Sequence, residues 1–402
     1  MSINYQVVFQ QVRELIEAQK AKIEDLAERR TVARMLFDQF VSGGDQLEGK
    51  IEKARSVDAG LRCAMPTADR LDIHLPPPTL IEKTILIASD GSQIMPDRHQ
   101  PVYYGLINTG AIVLKMNTGE APEVVTESRL LSEEELVSKT GNPISDTMLG
   151  LMRDTEERTT MLKLVQKASQ GKDQVITLTD GPIELWGRRE GDEAMLFEEN
   201  LKKYLSALSQ IQELGSITAG YIDRPGANPV CRMLEIAMAG EDELAAIKQF
   251  RPLDGISDRW LFGNPASLVL LPGERSAVFA LKSRSEADYQ GIFALHFFYI
   301  NVSKDLNDPQ IARIDIPRWV AEDDGNVGQL HACIIEQCGL LGSKPFPYII
   351  HRAHEIAVVT YEEKKQIDAL FQIESLSQGH DAGTTSNKQT PKDGVGRTKF
   401  KK

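Results

Sequence analysis

Cysteine is scarce in this chain. Its 402 residues include four, Cys63, Cys231, Cys333 and Cys338, with no Cys-x-x-Cys pair and no histidine at zinc-finger distance. That argues against a disulfide framework and a zinc ribbon. The thiols read as core residues of a protein suited to a reducing cytoplasm. Long apolar runs are missing too, so no membrane span is expected. Met1–Gln10 lacks the basic-then-apolar pattern of an export signal. Basic charge is also short: 46 Lys and Arg against 58 Asp and Glu give a formal net charge of −12. A general nucleic-acid coat protein needs basic surface. Any phosphate contact must therefore come from a local basic groove on an acidic molecule.

What is present is enough for a sizeable core, with 41% hydrophobic and 26% charged residues, and for more than one structural unit. One stretch stands out: Thr84-Ile-Leu-Ile-Ala-Ser-Asp90-Gly91-Ser92. Its β-branched, apolar run predicts a buried strand, with Gly91 as the turn that ends it. The pattern returns in Gln174-Val-Ile-Thr-Leu-Thr-Asp180-Gly181-Pro182. A single Asp-Gly is an ordinary turn pair. Two of them, each closing a buried strand, would bring both acids to one sheet end if the strands pair in parallel.

The rest of the chain fits around these strands. Val8, Val12, Ile16, Ile23 and Leu26 predict a long helix, broken at Ser42-Gly-Gly-Asp45 and followed by a second helix over Gln46–Leu61. Residues 1–80 thus form an N-terminal helical arm, a packing or dimer element, with Pro76–Pro78 as a hinge. Val102–Asn108 and Ala111–Met116 flank Thr109-Gly110 as a hairpin, and Glu123–Leu131 is a further strand. Ser145 or Asp146 caps a helix over Thr147–Ala168; a helix from about Asp192 to Leu214 and a strand over Ser216–Ile222 follow. This order is that of an α/β, ribonuclease H-like mixed sheet flanked by helices.

Such a core carries a third acid on the helix before the second acidic strand. Glu156 and Glu157 compete for that place. With Met148, Leu151, Met152 and Leu162 defining the apolar face, Glu156 lies on its flank and Glu157 points away. Leu164 lies on the Glu157 side and weakens the contrast. The expectation is Glu156.

Several pieces then occur in a telling order: Asp90-Gly-Ser, Asp180-Gly-Pro, Gly220-Tyr221-Ile222 with Arg224-Pro225, Arg313-Ile-Asp315-Ile-Pro317, and Pro345-Phe-Pro-Tyr348 with Ala353-His354-Glu355. The chain resembles the NurA nucleases over about Ile81 to Thr360. The resemblance implies a nuclease domain over 81–375 with a ribonuclease H-like core, and manganese (or magnesium) held by Asp90, Glu156, Asp180 and His354. It implies Tyr221 near the active site, a homodimer, and a HerA-type hexameric ATPase as partner. The activity it implies is 5′-to-3′ exonuclease, with single-strand endonuclease activity, on DNA ends in double-strand break repair. Asp180-Gly-Pro182 departs from the family pattern, which more often has serine at the third position.

The residues suit that chemistry. Carboxylates are the usual oxygen ligands of hard divalent cations, and a histidine can ligate or move a proton. The spacing of Ile349, Ile350, Ala353, Ile356 and Ala357 predicts a helix that sets His354 at the edge of its core face. Arg188, Arg189, Arg224 and Arg232 are candidates for DNA phosphates, Trp186 for stacking on a base, and Asp258 for an extra polar contact. The stretch 376–402 ends in Lys399-Phe-Lys-Lys402, lacks apolar periodicity and reads as a disordered basic tail. The alternative function is a non-catalytic DNA-binding or scaffold subunit that docks onto a translocating ATPase.

Overall fold

The computed structural model describes residues 3–41, 44–81, 83–98, 102–187, 191–264, 269–342 and 344–378. Its strands in chain order are β1 (Cys63–Pro66), β2 (His74–Leu75), β3 (Thr84–Ile94), β4 (Gly105–Lys115), β5 (Glu123–Leu131), β6 (Gln174–Asp180), β7 (Ile217–Ile222), β8 (Arg275–Ser276), β9 (Phe279–Lys282), β10 (Leu295–Asn301) and β11 (Ile311–Pro317). Its helices are α1 (Tyr5–Phe40), α2 (Gly44–Val57), α3 (Asp146–Ala168), α4 (Ala194–Glu213), α5 (Pro229–Met238), α6 (Glu241–Ala245), α7 (Asp258–Gly263), α8 (Arg318–Ala321), α9 (Asp324–Gly339), α10 (Tyr348–Ala357) and α11 (Tyr361–Ser377). None of the described helices is long and apolar enough to cross a membrane.

The chain divides into two compact, interleaved units. The first comprises Met1–Ile81, Asp180–Glu184 and Ile217–Tyr348; the second comprises Glu82–Thr179, Leu185–Ser216 and Ile349–Lys402. The expected arm, residues 1–80, thus lies in the first unit together with 217–348.

The second unit contains strands in the order β6-β3-β4-β5. β3 pairs antiparallel with β4, from Ile85↔Lys115 to Ile94↔Leu106, and β4 pairs antiparallel with β5. On its other side β3 pairs in parallel with β6, from Thr84↔Gln174 to Ser89↔Thr179. A parallel pair needs a crossover, and α3 lies within it between β5 and β6. Ser145 caps α3, accepting a hydrogen bond from the Met148 amide at 3.2 Å. Met161, Leu164 and Val165 of α3 pack with Ile85 and Ile87 of β3, Ala111 of β4, Val175 of β6 and Ile211 of α4. Each of the larger side chains here (Val, Leu, Ile or Met) contributes about 1.5–3 kcal/mol. This meander plus parallel strand is the mixed, ribonuclease H-like sheet expected.

In the first unit the order is β1-β9-β10-β11-β7 with antiparallel neighbours, and β8 bridges β10 and β2. Phe279 and Phe297 stack at 5.5 Å between centroids, and Phe262 stacks on Tyr299 at 4.7 Å.

Two glycines behave differently from the expectation. β3 does not end at Gly91 but runs on to Ile94. Thr109-Gly110 makes no hairpin turn; it lies inside the continuous strand β4. Both glycines serve close approach by neighbouring groups, a use of glycine that looks the same as a turn in one dimension.

Candidate active site

The Asp90-Gly91-Ser92 segment does three separate things. Asp90 Oδ2 lies 2.7 Å from His354 Nδ1, and its Oδ1 accepts from the Gly91 amide at 2.8 Å. Gly91 clears space: a Cβ there would sit 2.6 Å from both Arg153 Cγ and Glu157 Oε1. Ser92 Oγ donates to the carbonyl of Ala357, which Asn108 Nδ2 also reaches at 2.8 Å, and Ser92 Oγ accepts from the Val359 amide at 3.1 Å. The last carbonyls of a helix have no partner within it, so β3 and β4 here hold the end of α10. Gly110 permits the approach, since a Cβ on it would lie 2.4 Å from the Ala357 nitrogen. With Ile349, Ile350, Ala353 and Ala357 buried, α10 has a fixed rotation, and His354 sits one turn back from the clamp. Its side chain is 62% exposed.

Helix α3 supplies the other acids. Glu157 is buried, and Asp154, three residues before it, shares its side of the helix. Between them lies Arg153. Its Nη2 is 2.7 Å and its Nε 3.2 Å from Asp154 Oδ1, and its Nε is 3.2 Å from Glu157 Oε1. Burial pushes the Glu157 carboxyl well up from its ordinary pKa, helped by the charges of Asp154 and Asp90. Asp154 is raised as well, mainly by burial, with Arg153 opposing and Asp90 adding to the rise. Burial works against the Arg153 charge, but Asp154, Glu157 and Asp90 outweigh it and hold its pKa up.

Glu156, the expected third acid, faces elsewhere. Its Oε1 pairs with Arg129 Nη1 at 2.5 Å on the outer side of α3. The buried face of α3 includes Met161, Leu164 and Val165, whereas Leu162 is only partly buried. Glu157 precedes Met161 by four residues and Leu164 by seven, which puts it on the sheet side. An apolar face drawn through Leu162 instead of Met161 is rotated by about one residue. Asp154 and Arg153 were not anticipated; the three-residue spacing of Asp154 and Glu157 was the available signal.

The remaining candidates divide among several surroundings. Asp180 is exposed at the end of β6, and Gly181 follows it in the left-handed region with φ +85°. The Gly181 amide donates to the carbonyl of Tyr221 at 2.8 Å, and a Cβ on Gly220 would lie 2.4 Å from the Gly181 carbonyl oxygen. Tyr221 itself is fully buried, edge-on to Phe346 at 5.3 Å, with its phenol pKa pushed up by burial and by Cys338. Arg224 is exposed in the left-handed region at φ +42°, its Nη2 bonded to Gln310 Oε1 at 3.2 Å. Trp186 is 57% exposed. Arg188 and Arg189 lie outside the described residues, as does the tail beyond residue 378.

Two further candidates, Arg232 for a DNA phosphate and Asp258 for an extra polar contact, are buried in structural networks. Arg232 is fully buried, 2.6 Å from Glu235 Oε2 and bonded to the carbonyls of Ile247 and Phe250. Asp258 is buried too: it caps α5 through the amides of Val230 at 2.8 Å and Cys231 at 2.9 Å, and accepts from the Tyr299 hydroxyl at 2.7 Å.

Asp90, Asp154, Glu157 and His354 form a set of hard oxygen donors with one imidazole, which suits manganese or magnesium. Glu157 Oε1 is buried and accepts no hydrogen bond, so a donor atom is in reserve. Among the described residues, though, no three His, Cys, Asp or Glu side chains close around a single point. The acids lean on Arg153 instead.

Fold and acid cluster together define a ribonuclease H-like protein with a candidate hydrolytic centre. The chain belongs to the NurA domain family, whose model matches residues 84–359, more than two thirds of its length. Among solved structures it is similar to the NurA nuclease from Sulfolobus solfataricus, with 12% identity over 86% of this chain and 98% of that one and a TM-score of 0.44. A NurA structure bound to dAMP and manganese is 12% identical over 80% and 92% of the two chains, with a TM-score of 0.34. The catalytic domain of human endonuclease V is 14% identical over 81% and 97%, with a TM-score of 0.29. A comparison with curated proteins finds no match.

Proposed function

We propose that this protein is a metal-dependent DNA nuclease. The observation that carries the reading is the Asp90–His354 contact between β3 and α10, with Asp154 and Glu157 on α3, whose carboxyl pKa values the Asp90 charge helps to raise. Family membership supports it. Asp180 enters on sequence grounds alone, as the acid of the second Asp-Gly pair.

A bound Mn²⁺, or Mg²⁺ in its place, would neutralise charge on the phosphoryl oxygens and lower the pKa of a bound water. Asp90, Asp154, Glu157 and Asp180 would hold it by carboxylate oxygens. Asp90 also orients His354. With the Asp90 carboxylate accepting, His354 Nδ1 would carry the proton of that bond, leaving Nε2 of the neutral ring for a metal or a proton. Tyr221, buried beneath the Asp180-Gly181 turn, supports that turn. Arg224 offers a guanidinium to a DNA phosphate, and Arg188 and Arg189 are proposed for the same task on sequence grounds.

The resemblance supports the finer points of this reading: 5′-to-3′ exonuclease action with single-strand endonuclease activity, work on DNA ends in double-strand break repair beside a HerA-type hexameric ATPase, and a homodimer. The dimer has one further support, since α1 exposes Tyr5, Phe9, Val12, Leu15, Ile16 and Ile23.

Single- and double-stranded DNA carrying a label at either end, incubated with the protein in Mn²⁺, Mg²⁺ or EDTA, tests the reading. We expect cleavage that requires the metal. DNA left intact under every condition overturns it in favour of a non-catalytic subunit.

A further inference from the structure

We propose that Arg153 is a built-in counter-cation of the acid cluster, which a divalent metal ion has to displace. The inference rests on the nuclease reading above and assigns a positioning role within that site.

Consecutive residues of a helix point about 100° apart and do not normally face each other. Arg153 nevertheless bonds its own neighbour Asp154 through both Nε and Nη2, while Nε also lies 3.2 Å from Glu157 Oε1. To do so the side chain folds across β3, and Gly91 leaves it the room. A Cβ on Gly91 would lie 2.6 Å from Arg153 Cγ and 2.9 Å from Cδ. The glycine of the first Asp-Gly pair is therefore a slot for the arginine stem. The guanidinium in this slot bonds Asp154 and lies beside Glu157, and the charge of Asp90 acts on it as well. Carboxylates this close repel strongly unless a positive charge stands among them. In the protein alone Arg153, with a lesser contribution from buried Arg158, supplies that charge and keeps the acids near their binding positions. When a divalent ion enters, two cations compete for the same oxygens, so displacing the arginine lowers the net affinity for the metal.

Calorimetric Mn²⁺ titration and melting in EDTA, on the parent, Arg153→Met and Arg153→Lys, test the idea. Methionine keeps an unbranched stem over Gly91 but no charge. We expect Arg153→Met to melt lower in EDTA and to bind Mn²⁺ about tenfold more tightly, or ~1.4 kcal/mol. Arg153→Lys, which keeps the charge, should return both values toward the parent. Unchanged or weaker Mn²⁺ affinity in Arg153→Met overturns the proposal while leaving the nuclease reading standing. No Mn²⁺ uptake by the parent removes both. If Arg153→Met fails to fold, the arginine Nε–H NMR signal that is lost in Arg153→Lys can be followed in the parent during a Mg²⁺ titration. A shift that saturates with metal supports displacement, and a stationary signal refutes it.

Discussion

Asp90 on β3 and His354 on α10 are 264 residues apart in sequence, yet Oδ2 of one lies 2.7 Å from Nδ1 of the other. The contact depends on two β-strand residues that do no chemistry, Ser92 and Asn108, which hold the Ala357 carbonyl. If the histidine serves the metal site, His354→Ala should weaken Mn²⁺ binding and cleavage together. The metal-free melting temperature should hardly move, because the side chain is mostly exposed. Asp90→Ala should lower cleavage at least about 100-fold. Mn²⁺ titration beside EDTA melts checks both, and parent-like metal affinity in His354→Ala would remove the histidine from the site.

The two glutamates separate cleanly. Glu157→Gln is expected to abolish metal-dependent cleavage while leaving the metal-free protein as stable or slightly more so, since a crowded acid is neutralised. Glu156→Gln loses only a partly exposed pair with Arg129, worth at most ~1 kcal/mol, and should cleave normally. Parallel assays and thermal melts decide; the reverse pattern would show that Glu156 is the ligand.

Gly110→Ala tests the clamp from the position paired with Asp90 across β3 and β4. Its Cβ would meet backbone atoms of Ile356 and Ala357 at 2.4–2.8 Å, which cannot yield as a flexible side chain can. We expect a loss of about 1–3 kcal/mol in stability, and a drop in Mn²⁺ affinity as His354 is carried away from Asp90. Denaturant melts and metal titration should change together. A variant as stable as the parent, with parent-like affinity, would mean that α10 is not held here.

Acid sensitivity should come partly from His331 on α9. It is fully buried, its Nε2 lies 2.7 Å from the Gly273 carbonyl, and burial lowers its pKa to about 4. With the native value below the unfolded one, the unfolded chain binds the extra proton first. The stabilisation is complete above about pH 6.5 and is lost as the pH falls toward 4, by about 3 kcal/mol in all. Urea melts at pH 7.5 and pH 5 should show it, and His331→Asn should flatten the dependence. An equally steep fall in that variant would place the effect elsewhere.

The exposed stripe of α1 is the basis of the dimer prediction. Light scattering at micromolar concentration should report twice the 44.7 kDa chain mass. Replacing Val12 and Ile16 by Glu should give monomers. A monomeric parent would count against the homodimer.

How much of this was legible beforehand depends on the kind of signal. The strand Glu123–Leu131 and the start of β6 at Gln174 match their expected positions, because apolar content and turn residues act locally. The third helix was expected from Thr147 and begins at Asp146, since its cap is written in Ser145. Gly91 and Gly110 were misread as turns because the same residue serves turns and close approaches, and only the neighbour across the fold tells them apart. The burial of Arg232 and Asp258 is not legible in the sequence, since a charged side chain carries no local mark of burial when its partners are distant along the chain.

The sequence by itself determined that strands start at Thr84 and Gln174, that each runs into an Asp-Gly pair, and the order that makes the sheet mixed. Those are properties of neighbours along the chain. Tertiary structure alone decided which glutamate of α3 turns toward Asp90. The two differ by one residue, or about 100° of helix rotation, and that rotation is set by how Met161, Leu164 and Val165 seat on β3, β4 and β6. It also decided that an arginine lies among the acids, because the slot that admits it is a missing Cβ on another element.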